Sequence, residues 1–272
     1  MKLALFALTL AFAASASADT FTFSNGTPDG RMAMASRPGS SGVIEIEAAD
    51  DFVLTSLTSL TSATFTGLLP SAGASVVGVD IEIYRVFPLD SDTVRTINVL
   101  TRANSPSDVA FAERDSSGGL SFSTSTLATN FTASNSVLNG INKFPNQTTG
   151  GEGPVTGNEV LFTVNFTTPI DLGANHYFFV PQVQLSNGTF YWLSSARPNP
   201  AVTPDLQAWI RNANLDPDWS RVGTDIVGGA TPPTFNGAFT LAGTTAAATP
   251  EPSSFVLLLT GSGLFLRKLR SR

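Results

Sequence analysis

The chain has 272 residues, with 15 Lys and Arg against 21 Asp and Glu, one His and no Cys. Its formal net charge of −6 at pH 7 excludes a broad electrostatic attraction to nucleic acid or to anionic lipid. Without Cys there are no disulfides, thiolate metal sites or Cys nucleophiles, and a single His cannot build a His-rich zinc or iron centre.

Taken in chain order, the first element is a secretory signal peptide over residues 1–18. Lys2 supplies its positive start, Leu3 to Ala14 its apolar stretch, and Ala16 and Ala18 the small-residue cleavage pattern before Asp19. At about a dozen residues, the apolar stretch is short for a membrane span of ~20. The chain is therefore expected to leave the cytoplasm.

Residues 19–243 carry strand patterns separated by turn residues. Val43 to Glu47 alternates apolar and acidic residues before Phe52 to Leu54 turns apolar. Val79, Ile81 and Ile83 alternate with Asp80, Glu82 and Tyr84. Residues 101–158 are rich in Ser, Thr, Asn and Gly and read as a long decorated loop or as short edge strands. Val160, Phe162, Val164 and Phe166 form a further period-two stripe. In HYFFVPQVQLSNGTFYWLSS, Asn187-Gly188 predicts a type I′ hairpin turn. One short helix is predicted over Asp205 to Asn212, where Leu206, Trp209 and Ile210 follow helical spacing. Phe235 to Gly243 reads as a closing strand. The pattern predicts an all-β fold, one antiparallel β-sandwich of jelly-roll type.

Residues 244–249 form a small polar spacer. Pro250-Glu251-Pro252 then leads into an uncharged, mostly apolar run, Ser253 to Leu266, closed by Arg267, Lys268, Arg270 and Arg272. As a helix this run is at most ~21 Å long, thin against a ~30 Å hydrocarbon core, so it suits transient membrane holding. The basic cluster is expected to stay on the cytoplasmic side, leaving the body outside. Removing this tail and Lys2 leaves ten of the 15 basic residues against all 21 acidic ones, a body charge near −11.

The order of motif, apolar segment and basic cluster over residues 250–272 resembles a PEP-CTERM sorting signal. The resemblance implies recognition and removal of the tail by a membrane protease, an exosortase. It also implies delivery to the outer cell envelope or the exopolysaccharide matrix. Signal peptidase and exosortase are the implied partners during export. More loosely, Ala49-Asp50-Asp51-Phe52 and Ala238-Phe239-Thr240-Leu241 resemble segments of the β-sandwich bodies of such proteins. That likeness implies fold and location and brings no catalytic residues.

The chemistry available to the body is narrow. His176, at the start of an apolar strand, lacks a G-x-S-x-G serine and reads as a strand-end histidine, surface-facing or bonded locally. Glu45, Glu47, Glu82, Glu113, Glu152 and Glu159 could supply the two acids of a glycosidase, but Glu45, Glu47 and Glu82 fall on the polar side of strands, where solvent is expected. Calcium needs only hard oxygen ligands, and Asp50-Asp51, Asp90 with Asp92, and Asp216 with Asp218 are its candidates, although none forms a recognisable calcium loop. No cofactor is assigned. Extracellular polysaccharide is the most natural ligand, with Tyr191 and Trp219 the aromatic candidates for stacking on sugar rings; core packing is the favoured reading of the Trp side chains. The expected role is a non-catalytic surface or matrix protein; the alternative is a secreted polysaccharide hydrolase using a carboxylate pair.

Overall fold

The computed structural model describes residues 18–40, 42–70, 72–94, 103–141, 148–196 and 204–246. The expected sorting motif Pro250-Glu251-Pro252, the cluster Arg267, Lys268, Arg270 and Arg272, and all of the expected signal peptide except Ala18 lie outside these residues. Ala18 and Asp19 are described and exposed. Thr20–Thr245 forms one compact unit.

The described chain is almost wholly strand. In chain order these are β1 (Thr20–Ser24), β2 (Pro28–Ala35), β3 (Ile46–Leu54), β4 (Thr58–Leu69), β5 (Val76–Arg85), β6 (Ala112–Asp115), β7 (Leu120–Ala133) and β8 (Ser136–Val137). They continue as β9 (Val155–Leu172), β10 (Asn175–Leu185), β11 (Tyr191–Ser195), β12 (Trp209–Asn212), β13 (Ser220–Arg221), β14 (Asn236–Gly237) and β15 (Phe239–Thr245). A single-turn π-helix spans Val222–Val227. Two sheets result, a six-stranded one in the order β13-β12-β3-β10-β5-β6 and a nine-stranded one organised around β4. One side of β4 is lined by β9 along its whole length; the other is shared end to end by β15 and β11. Nearly all pairings are antiparallel, the exception being β2 with β8.

The two sheets share one hydrophobic core, which makes the arrangement sandwich-like. Period-two alternation explains it. Val79, Ile81 and Ile83 of β5 and Val160, Phe162, Val164 and Phe166 of β9 all turn inward, as their spacing predicts. Aromatic rings meet across the sheets: Phe179 stacks on Phe239 at 4.9 Å and lies edge-on to Trp192 at 6.0 Å, while Phe23 reaches Phe52 at 6.0 Å. Such pairs contribute roughly 0.5–1.5 kcal/mol each beyond their buried area.

The six-stranded sheet is unusual in burying its outer face as well. Ala49, Tyr84, Phe178, Val180, Leu206, Trp209 and Trp219 form a second apolar cluster there. This double burial corrects the expected helix over Asp205–Asn212. Trp209–Asn212 is strand β12, paired with Ile46–Ala49 of β3, and the apparent helical spacing arises because residues on both faces are covered. Asn187-Gly188 is likewise no hairpin: β10 and β11 belong to different sheets, and only Gly188 has a positive φ, 82°. Of the two readings of 101–158, a decorated loop or short edge strands, the segment takes strands: β6, β7, β8 and the start of β9, β7 being long at 14 residues. Regular pairing of the 43–47 segment starts at Ile46, Val43 making only a bridge to Ser40. Two residues of the expected spacer, Thr244 and Thr245, belong to β15.

Candidate functional site

The strongest concentration of chemistry lies on the outer face of the six-stranded sheet. Alternation sends Glu47, Ala49 and Asp51 of β3 outward, along with Asp80, Glu82 and Tyr84 of β5. Arg211 joins them from β12, directly across from Glu47. Its Nη2 donates to Glu47 Oε1 at 2.9 Å and to the Tyr84 hydroxyl at 2.8 Å, and its Nε donates to Glu47 Oε2. Nη1 donates to the Asp108 carbonyl at 3.0 Å and pairs with Asp216 at 2.9 Å. The Trp219 ring lies 4.4 Å from the guanidinium. Tyr84 in turn donates to Glu47 Oε1 at 2.7 Å, and Glu82 Oε2 lies 3.3 Å from the same hydroxyl.

Electrostatics follow from this crowding. Burial, reinforced by neighbouring Glu47, pushes the Glu82 carboxyl up to about 9. Burial pushes Asp80 up to about 7, with Glu113, Asp115 and Glu45 adding like-charge repulsion. Burial works against the Arg211 charge, but Glu47 outweighs it and holds the guanidinium above its ordinary value. Tyr84 is raised by burial and by Glu47.

A pair of carboxylates with one raised into the range of a general acid is what a glycosidase uses. Glu47 and Glu82 meet that description chemically but not geometrically. They converge on a tyrosine hydroxyl, and Glu47 is only 3% exposed beneath Arg211. The expectation that Glu47 faces solvent is corrected: the covering segment 204–219 turns this polar face into an interior one. Glu152 is committed elsewhere, accepting the backbone N–H groups of Leu138, Asn139 and Gly140 at 2.6–2.7 Å. Glu159 is nearly buried on β9 and raised by that burial.

Both candidates for sugar stacking are buried, Trp219 in keeping with its favoured reading as a core residue. Tyr191 is 8% exposed and packs in the main core, and Trp219 is 2% exposed, donating its ring N–H to the Ser107 carbonyl at 3.0 Å. Asp218, Ser220 and Arg221 around Trp219 suggest a loop in sequence, but Trp219 itself is the lid of the Arg211 network. Trp209 packs, as its apolar neighbours predict.

His176, the second residue of β10, places Nε2 2.5 Å from Asp51 Oδ2. Asp51 also accepts the Leu206 N–H at 3.0 Å. Asp50 points the opposite way, into the main core, and accepts from Asn25 Nδ2 at 2.6 Å and from the Gly237 N–H at 2.9 Å. Burial, with Asp51 nearby, holds the Asp50 carboxyl well above the usual range. Adjacent in sequence, Asp50 and Asp51 therefore cannot share a cation. Of the other calcium candidates, Asp90 is bound by Arg85, Asp92 accepts the Val94 N–H at 2.9 Å, and Asp216 is held by Arg211.

A surface cleft of about 280 Å³ opens beside the β10–β11 connection, lined among others by Arg37, Ser40, Gln184, Ser186 and Asn187. Its amide and hydroxyl groups suit hydroxylated ligands. The residues that sequence reasoning missed are Arg211 and Tyr84. Tyr84 was placed on the correct face beside Glu82, and that shared face was the available signal. Comparison of the chain with family models, with curated proteins and with solved structures finds no match.

Proposed function

We propose that this chain is a non-catalytic exported protein of the cell surface or exopolysaccharide matrix, a jelly-roll body delivered by a removable PEP-type tail. The observation that supports the reading best is the pairing of Thr20 with Thr244. The first strand after the expected cleavage site and the last strand before the tail lie side by side, β1 forming the sheet edge. Cleavage before residue 19 or beyond residue 246 therefore cuts none of the described strands. The burial of Glu47 under Arg211 and Trp219 weighs on the same side.

Polysaccharide is the proposed ligand class, with the cleft at Arg37, Gln184 and Asn187 as its contact surface. Removal of the tail predicts a mature protein ending near Pro252. Mass spectrometry of the exported protein checks this, and an intact Arg272 end would sink the sorting proposal. Incubation of the exported protein with the host's exopolysaccharide separates the two functional classes: co-elution with polymer of unchanged size supports binding. Shortened polymer would instead favour the hydrolase, the class to which the raised Glu82 beside Glu47 gives its one foothold.

A further inference from the structure

The outer face of the six-stranded sheet continues past the Arg211 network to a corner where acceptor oxygens outnumber donors. Gln182 of β10 lies directly across from Asp80 of β5, and Asp80 lies across from Asp115 of β6. Glu113, exposed on β6, pairs with Glu82 and stands beside Asp80 on the same face. Gln182 is 1% exposed. Its Nε2 donates to Glu45 Oε1 at 3.1 Å, but its buried Oε1 accepts nothing. Oδ1 of Asp80 is buried and accepts nothing either. An acceptor cut off from water and donors is destabilising, and a carboxylate among like charges more so. A positive charge at this corner would relieve both.

We propose that Asp80, Glu113 and Gln182 Oε1 form a calcium site at the edge of the six-stranded sheet. Every group there is a hard oxygen donor, the set calcium selects, and calcium accepts amide oxygens and water beside carboxylates. Among the described residues no group of three or more His, Cys, Asp or Glu side chains is arranged to hold a metal. Two carboxylates and the amide oxygen therefore make the protein's share, with water completing the shell. Glu45 fixes the amide from the β3 side, so it positions Gln182 rather than binding the ion. The exposed Glu113 leaves an entry from solvent. The site is distinct from the aspartate pairs that suggest calcium in the sequence, and it does not depend on the sorting role.

The test is thermal unfolding of the full-length chain in mild detergent, first with chelator and then with 10 mM Ca²⁺. Extracellular calcium modules bind with Kd of about 10⁻⁴–10⁻³ M, so a Tm rise of about 3–10 °C is expected. Mg²⁺, which demands tighter octahedral geometry, should give much less. Asp80→Asn and Glu113→Gln should each abolish most of the rise. Glu113→Gln is the safeguard against misfolding, since its side chain is exposed. No Ca²⁺ response in the wild type overturns the proposal. So does an equal response to KCl of matched ionic strength, or a full response retained in both variants.

Discussion

Arg211 shows how one side chain can decide the character of a whole face. It neutralises Glu47, braces Tyr84, pairs with Asp216 and stacks on Trp219. Replacing it with Leu strands Glu47 in an apolar setting, and a loss of about 3–5 kcal/mol is expected in urea unfolding. Replacing both partners, Glu47→Met with Arg211→Met, removes the stranded charge and should recover most of that loss. Asp50 makes a different case. Its folded-state pKa lies above the unfolded value of about 3.9. The folded state therefore holds the proton more tightly, and stability falls as pH rises from about 4 through the folded-state pKa. Asp50→Asn should flatten that fall, while Asp50→Ala should cost about 3 kcal/mol near pH 4 by orphaning the Asn25 amide and the Gly237 N–H, and less as pH rises. Thermal melts between pH 4 and 8 check both, and a wild-type profile rising across that range would refute the assignment. Asp50 and Gly237 also bring together the two segments, 49–52 and 238–241, that carry the looser family likeness in the sequence.

Among the elements, β4 is the hinge of the nine-stranded sheet because it serves three neighbours. Where β11 takes over from β15, Gly67 lies under the Phe190 ring and against the Tyr191 carbonyl. A Cβ there clashes with both, so Gly67→Ala should cost about 2–3 kcal/mol in denaturant unfolding. Gly173→Ala, with open space around it, is the control and should change stability by under about 0.5 kcal/mol. Legibility in the sequence follows the same geometry. β5 and β9 were readable because one face meets the core and the other differs from it in polarity. β12 was not: Leu206 and Trp209 lie in the outer cluster and Ile210 in the main core, so covering both faces erased the alternation and left a false helical spacing. β7 failed for the opposite reason. Most of Ser121 to Asn130 is exposed on both faces, so no apolar stripe marks this 14-residue strand. The burial of Glu47 is not legible in the sequence, because a covering layer assembled from distant segments cannot be seen in local pattern.

On the scale of the whole molecule, the acidic composition is distributed between interior and surface more than the formal charge suggests. Glu47, Asp50 and Asp51 are buried, and Asp80 and Glu82 are half-buried. The pairing of Thr20 with Thr244 has a mechanical consequence. β1 and β15 run antiparallel, and the residues nearest both chain ends form the first pair of their ladder. Tension applied between residues 20 and 244 would load that pair alone, then the next, opening the ladder like a zipper instead of shearing all five pairs together. In single-molecule pulling, β1 should peel from β15 at low force while the rest of the nine-stranded sheet stays intact; loss of β1 only together with β4 and β9 would refute this. A force applied at one end alone puts no tension between residues 20 and 244, so it leaves the β1–β15 ladder closed.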